Sequence, residues 1–268
     1  MYKLKESEAD RKIATQIRKL AGELRAVTHF TNDLVLPAAY RKRGQTAESY
    51  LRMRLHNARS IARYQIMALL RSSSVALAEH IVGTGQAVKD FGLVGFKKST
   101  QTGNALKRLQ DLRGKPPKSK LDTELPEWLR DPTAHAAACD HDHAIYSQIY
   151  QCVRSLSDAR EEAKVEKLLT LAGKHSLVLA FDRSPITLHA IQQRIGKQRP
   201  GQPTIVATGD PSSDRERMLT EFKPGSGAHH LIGLCSDSLS EGVNLQQASC
   251  MVHLDMPSVV RIAEQRAG

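Results

Sequence analysis

The chain has 268 residues, of which 40% are hydrophobic and 4% aromatic, and its formal net charge is +11. This composition excludes a disordered tail and a disulfide-rich scaffold, and the lack of any long apolar run excludes a membrane-spanning helix. The four cysteines are scattered and the polar start lacks the apolar core of a secretory signal, so we expect reduced thiols and a cytoplasmic protein.

Residues 1–135 are predicted to form a mainly helical, basic region, because β-branched runs are few there. Residues 1–130 contain 25 Lys and Arg against 12 Asp and Glu, whereas residues 131–268 contain 14 against 16. An excess of positive charge in one half indicates a polyanion partner, because contacts with phosphate release counterions. A solvated surface that is rich in arginine remains the alternative.

Two long helices are predicted in this region, from about Glu8 to Phe30 and from about Thr46 to His80, since apolar residues recur there at helical spacing. The second helix also carries a separate basic stripe, formed by Arg52, Arg59 and Arg63. These arginines are candidate nucleic-acid contacts, although a solvated arginine face is the commoner meaning of such a pattern.

Residues 113–135 are rich in Pro and Lys and lack periodicity, which predicts a surface loop or linker. Its lone Trp128 is expected to anchor the loop, with stacking on a nucleobase as the alternative. The next segment holds potential metal ligands, namely His135, Cys139, Asp140, His141, Asp142 and His143. Their spacing matches no standard zinc motif, so a polar cap before the next helix is favoured over a metal-dependent hydrolase, and no metal site is predicted.

After about Asp140, short apolar runs alternate with helical segments, which is typical of a parallel sheet covered on both faces. A helix from His143 to Ala172 precedes strands predicted at 176–181, 204–208, 230–235 and 250–254. Later helices are predicted to begin at Ser184-Pro185 and Asp210-Pro211. Residues 136–268 are therefore predicted to be an α/β lobe, and its ligands should bind beyond the carboxyl ends of the strands.

The segments after the third and fourth strands carry an ordered set of motifs. Ser236 is followed by Gly242 and Asn244, and a strand that ends near Asp255 precedes Gln265-Arg266-Ala267-Gly268. This arrangement resembles motifs V and VI of superfamily-two helicases, and most closely those of bacterial Swi/Snf-type DNA-dependent ATPases and translocases.

Two earlier segments resemble the same family. Leu177 to Phe181 is similar to the strand of motif IV, and Thr208-Gly209-Asp210 with Arg215 and Phe222 is similar to a strand-glycine-helix unit. The resemblance covers residues 164–268, and it extends more weakly to the stretch from Leu69 to Ser73. It implies a RecA-like helicase C-terminal lobe over residues 136–268, preceded by the helical region.

The resemblance also implies roles for individual residues. Nucleic-acid contacts would be made by hydroxyls, backbone amides and one arginine at the strand ends, namely Ser236, Ser238, Thr208, Gly209 and Arg183. An ATP molecule held between two lobes would be faced by Glu241, Gly242 and Asn244. Gln265 and Arg266 would act in catalysis as the start of motif VI, whose arginines stabilise charge on the transferred phosphoryl group.

The sequence departs from the family pattern where the rest of an ATP site is concerned. It contains no G-x4-G-K-[ST] segment to cradle phosphates and no Asp-Glu dipeptide to hold Mg²⁺, and the Arg-x-x-Arg of motif VI would follow Gly268. We therefore expect a chain that is inactive alone and that shares ATP and Mg²⁺ with a Walker-bearing lobe, in cis or in trans. DNA is the expected partner, RNA stays open, and the alternative is a non-enzymatic nucleic-acid-binding or regulatory module on a helicase-like scaffold.

Overall fold

The computed structural model describes residues 6–98, 103–210, 213–239 and 247–255. The helices of these ranges are α1 (Glu8–Glu23), α2 (Ala38–Lys42), α3 (Ala47–Ser72), α4 (Ser74–Val82), α5 (Thr84–Asp90), α6 (Ala105–Leu112), α7 (Pro132–Arg154), α8 (Ala159–Ala172), α9 (Pro185–Gln198) and α10 (Arg215–Glu221). The strands are β1 (Leu177–Phe181), β2 (Thr204–Ala207), β3 (Leu231–Cys235) and β4 (Cys250–His253). None of the described helices is both long and apolar enough to cross a membrane.

The strands form one parallel sheet in the order β2-β3-β1-β4. Each lies within one residue of its predicted limits, and the predicted α/β architecture, preceded by a mainly helical region, is confirmed. Because all four strands are parallel, their carboxyl ends meet at one edge of the sheet. The loops that carry the candidate residues of the lobe are therefore brought together.

Helices cover both faces of this sheet, as its continuous apolar strands predict. On one face, Val178 and Ala180 pack with α8 and α9. On the other, Leu179 and Phe181 pack with Met218 of α10 and with Phe222, the residue that follows this helix. The helix α10 begins at Arg215 rather than at Asp210, because the Asp214 N–H first donates to the carbonyl of Val206 and holds the chain against β2.

The close approach of α10 to the sheet depends on Gly233 in β3. A Cβ atom at this position would lie 2.8 Å from both Met218 Sδ and Phe222 Cζ. The phenylalanine of the predicted strand-glycine-helix unit is therefore a fully buried contact with the sheet. The absence of a side chain at Gly233 allows that contact.

The helical region has a core built mainly from buried residues of α1, α3, α4, α6 and α7, and Ile186 and Ala190 of α9 join this core from the lobe. The predicted loop residue Trp128 joins it through an edge contact with Phe30, at a ring distance of 5.4 Å. The helix α7 spans the predicted boundary at residue 135, and its buried residues, including Cys139 and Val153, belong to this core. The single helix predicted from His143 to Ala172 is in fact two helices, α7 and α8.

The first helix ends earlier than its apolar spacing predicts, at Glu23 instead of Phe30. The reason is Asp142 of α7, whose carboxylate accepts hydrogen bonds from the N–H groups of Arg25 and Val27 at 2.8 and 2.9 Å. The second predicted helix breaks at Ser73, which has an extended backbone and caps α4 by accepting from the Ala76 N–H at 3.1 Å. At each of these two helix ends, a side chain accepts hydrogen bonds from backbone N–H groups that would pair with backbone carbonyls in a continuous helix.

Asp10 links the start of α1 to the loop between α7 and α8. The Ser157 hydroxyl and N–H donate to its carboxylate at 2.6 and 2.9 Å, and both bonds lower the pKa of Asp10 to about 2. Because this pKa is lower than in the unfolded chain, the stabilisation is complete above about pH 4 and is lost as the pH falls through 2.

We expect Asp10→Asn to lower the free energy of unfolding at pH 7 by about 1–3 kcal/mol and to flatten its pH dependence between pH 4 and 2. Urea unfolding at several pH values measures both effects. The exposed Asp33 provides the matched control as Asp33→Asn, which should leave the curves unchanged. Equal acid sensitivity of the wild type and Asp10→Asn would show that this carboxylate contributes nothing to the pH dependence.

Candidate functional site

The four loops that follow the strands form one continuous edge. The ladder of hydrogen bonds extends past the strand ends, since the N–H groups of Asp182, Ser236 and Leu254 donate to carbonyls of neighbouring strands at 3.1, 3.0 and 2.8 Å. The candidate residues of three separate loops therefore lie on a rigid base. Polar groups at the carboxyl ends of parallel strands are the usual place for ligands of such sheets.

Two of these loops touch each other directly. The hydroxyls of Ser236 and Ser238 are 2.7 Å apart, and Ser238 lies so close to Gly209 that a Cβ there would be 3.4 Å from the Ser238 Cβ. Gly209 and Ser238 are exposed, whereas Thr208 and Ser236 are buried. The Thr208 hydroxyl accepts from the Asp210 N–H at 3.1 Å, so it shapes its own turn. The surface offered to a ligand is thus the Gly209 backbone and the Ser238 hydroxyl.

Arg183 lies at the same edge, after β1. Its Nε is 3.4 Å from Oδ2 of Asp255, which lies two residues after the end of β4. The side chain is 26% exposed. The guanidinium is therefore held by one carboxylate and is partly exposed to solvent. Its other N–H groups can donate hydrogen bonds to a ligand.

The arginine stripe lies on α3, whose last residue, Ser72, contacts Asp182 at the sheet edge. Arg52, Arg59 and Arg63 are all exposed, and Arg52 forms an ion pair with Glu48 at 2.6 Å. With a rise of 1.5 Å per residue, Arg63 lies about 14 Å from Ser72 along the helix, and Arg52 lies about 30 Å from it. Of the three arginines, Arg63 is therefore the nearest along α3 to the sheet edge.

A buried polar network, which the sequence does not predict, joins that helix to the sheet. Asp182, fully buried, accepts from the Ser72 hydroxyl at 2.6 Å and from the Ser184 N–H at 2.9 Å. Lys164 of α8, also buried, donates to the carbonyls of Arg71 and Ser72 and lies 3.9 Å from Asp182 Oδ2. Burial lowers the pKa of Lys164 and raises that of Asp182.

Two further side chains complete the network. Thr187 of α9 exchanges hydrogen bonds with Ser72 and Ser73 at 2.8 and 2.6 Å, and Glu161 of α8 accepts from the Ser74 N–H at 2.8 Å. The run of three serines from Ser72 to Ser74, inside the single helix predicted from Thr46 to His80, was the only local sign of this junction. Side chains of α8, of α9 and of the loop after β1 thus form hydrogen bonds with the junction of α3 and α4.

A cleft of about 750 Å³ opens beside the edge, where the chain after α5 crosses α9 and approaches the end of β2. Its lining includes Phe96, Lys97, His189, Gln192, Thr208 and Gly209. The volume falls within the range of small-molecule sites, about 300–1,000 Å³. Thr208 and Gly209 belong both to this cleft and to the edge described above.

The potential metal ligands around Cys139 lie inside α7 rather than in a cap before a helix. Asp142 binds the backbone after α1, Asp140 forms an ion pair with Arg113 at 2.8 Å, and His141 contacts the Glu23 carbonyl at 3.1 Å. Burial raises the pKa of the Cys139 thiol to about 11. In the part of the chain that the structure describes, no group of three His, Cys, Asp or Glu residues is placed to hold a metal ion.

The predicted nucleotide-facing and catalytic residues, Glu241, Gly242, Asn244, Gln265 and Arg266, lie outside the described residues. The described part of the candidate site is therefore the edge formed by the residues that follow the four strands, at 182–184, 208–210, 236–238 and 254–255.

Comparison with known proteins bears on the same segment. Residues 161–268 match the family of the helicase conserved C-terminal domain. The comparison with curated proteins finds no match. Among solved structures, the crystal structure of the C-terminal part of the Fun30 ATPase domain is similar, with 11% identity and a TM-score of 0.38 over 99% of this chain and 76% of that one. The predicted resemblance to a helicase C-terminal lobe is confirmed for residues 161–268.

Proposed function

We propose that this chain is the C-terminal part of an ATP-dependent helicase or DNA translocase of the Swi/Snf type. The family match over residues 161–268 is the observation that carries the proposal, since it covers the edge on which the candidate loops converge. The chain would bind the nucleic-acid backbone along that edge and supply half of an ATP site between two lobes. The rest of the site would come from a Walker-bearing lobe.

The edge suits a phosphate backbone better than base edges. An exposed glycine lets a phosphate approach the main chain closely, and the Ser238 hydroxyl can donate to a phosphate oxygen. Ser236 and Thr208 hold these two groups in place from below. Arg183, kept in position by Asp255, adds a positive charge. None of these groups reads a base, so binding should depend little on nucleotide sequence.

The arginine stripe of α3 extends this surface. Because α3 ends at the sheet edge, a polyanion lying on Ser238 and Gly209 can continue along Arg63, Arg59 and Arg52. The arginines would supply most of the salt-dependent affinity, in keeping with the excess of positive charge in residues 1–130.

The ATP-facing groups would be Glu241, Gly242 and Asn244, with Gln265 and Arg266 beside the transferred phosphoryl group. ATP with Mg²⁺ supplies the phosphoryl transfer that drives movement along the nucleic acid. An arginine side chain neutralises negative charge within a cleft that excludes water. Glycine permits close approach of its backbone to the nucleotide.

Titration of a labelled DNA oligonucleotide with the purified chain tests the backbone site. We expect Ser238→Glu to weaken binding by about tenfold, because the new carboxylate would face a phosphate across the edge. Thr220→Glu places the same charge on the exposed face of α10 and serves as the matched control. Equal loss in the two variants would show a general charge effect, and an undiminished affinity of Ser238→Glu would remove this edge from the binding site.

A further inference from the structure

We infer that the cleft between residues 92–98 and the carboxyl end of β2 binds one unpaired nucleobase of a strand that lies along the sheet edge. The inference rests on the proposed function, since it needs a nucleic-acid backbone at Gly209 and Ser238. The cleft would add a preference that the backbone site lacks, namely for nucleic acid that contains at least one unpaired and unstacked base.

The segment that forms the outer wall of the cleft is fixed before any ligand binds. The Gln193 side chain of α9 donates to the Gly92 carbonyl and accepts from the Val94 N–H, both at 2.9 Å. His189, one turn earlier, contacts the Val94 carbonyl at 2.8 Å. Three side-chain contacts to two residues hold this segment along α9, so little conformational entropy remains to be lost on binding.

This segment carries an aromatic ring into the cleft. Phe96 is half-buried against the helical core, and its ring lies 5.3 Å from the His189 ring at an angle of 44°. A ring that is held on one side and lines a cleft on the other is suited to stacking with a base. A base within a duplex is covered on both faces by its neighbours, so only an unpaired base can reach Phe96.

The polar groups of the cleft suit a base rather than a phosphate. Asp210 and Asp214 line it together with Gln192, while Lys98 of the lining is paired with Glu79 at 3.3 Å. The carboxylates would repel a phosphate but can accept from the N–H groups of a base. Lys97, which is exposed at the mouth of the cleft, can meet the phosphate of the same nucleotide. Because Thr208 and Gly209 belong to both surfaces, the backbone on the edge and the base in the cleft can be parts of one strand.

The test compares two single-stranded 12-mers of equal charge, one of thymidines and one wholly abasic, in equilibrium binding to the full chain. We expect the wild type to bind the thymidine 12-mer about tenfold more tightly, which is the scale of one stacked base. Phe96→Ala should lower that affinity to the level of the abasic strand and leave abasic binding unchanged. Phe96→Tyr, which keeps an aromatic ring, should retain the preference.

Each result decides between the two proposals. Equal binding of both 12-mers by the wild type, or a preference that survives in Phe96→Ala, would overturn the base cleft and leave the backbone site intact. Failure of the wild type to bind either strand would overturn the base cleft, and failure to bind a duplex of the same length as well would refute the proposed function. If Phe96→Ala unfolds, Phe96→Leu keeps apolar packing without the ring and should lose the preference in the same way.

Discussion

Asp182→Ala is expected to lower the free energy of unfolding by about 3–5 kcal/mol, because it leaves the buried ammonium of Lys164 without its carboxylate. Both side chains are almost completely removed from solvent, at 2% and 0% exposure. The substitution also removes the acceptor of the Ser72 hydroxyl and of the Ser184 N–H. A buried donor that loses its acceptor adds to the cost.

Urea unfolding of the purified chain measures this loss. Lys12→Ala, which breaks the exposed pair of Lys12 with Glu8, is the control and should cost only about 0.3–0.5 kcal/mol. The double variant Lys164→Met with Asp182→Asn should be more stable than the sum of its single variants predicts, since it removes both charges together. A cost below about 1 kcal/mol for Asp182→Ala would show that the network does not hold the helical region to the sheet.

Replacing Arg52, Arg59 and Arg63 by glutamine is expected to make DNA binding much less sensitive to salt. Each phosphate contact contributes about 0.9 to the slope of log affinity against log salt, so loss of three contacts lowers its magnitude by about 2.7. Between 200 and 50 mM salt, the affinity of the wild type should therefore rise about 40-fold more than that of the triple variant. Anisotropy titrations with a labelled oligonucleotide at several salt concentrations give both slopes.

A control with the same loss of charge separates contact from net charge. Lys174, Lys197 and Lys223 are exposed and lie at the opposite, amino-terminal edge of the sheet, where the chain enters strands or leaves helices. Their replacement by glutamine should leave the slope close to that of the wild type. Equal slopes in the two triple variants would mean that α3 is no part of the binding surface.

The strands and the polar loops that follow them could be predicted because the sequence signal for both is local. Four apolar runs, each followed by polar residues, specify buried parallel strands, and parallel strands place those loops at one edge without knowledge of any contact. The closeness of Ser238 to Gly209 then follows from β3 lying beside β2. The sequence therefore predicts which loops share this edge, and the binding of a nucleic-acid backbone there remains our proposal.

The helix ends and the buried network could not be predicted, because distant residues decide them. Asp142 ends the extension of α1 from more than a hundred residues away, and Asp182 contacts Ser72 across a similar separation. A lysine in a helical pattern is normally solvated, so nothing in the sequence marks Lys164 as buried. The cleft at Phe96 was missed for the same reason, since its wall comes from the helical region and its floor from the lobe.

The most direct test of the proposed function is the rate of DNA-stimulated ATP hydrolysis when this chain is mixed with a separately purified Walker-bearing first lobe of a Swi/Snf-type ATPase. We predict that neither part hydrolyses ATP alone, that the mixture does so when DNA is present, and that Arg266→Ala lowers the mixed rate by at least about tenfold. Robust DNA-stimulated hydrolysis by this chain alone, or a mixed rate that Arg266→Ala leaves unchanged, would contradict the proposal.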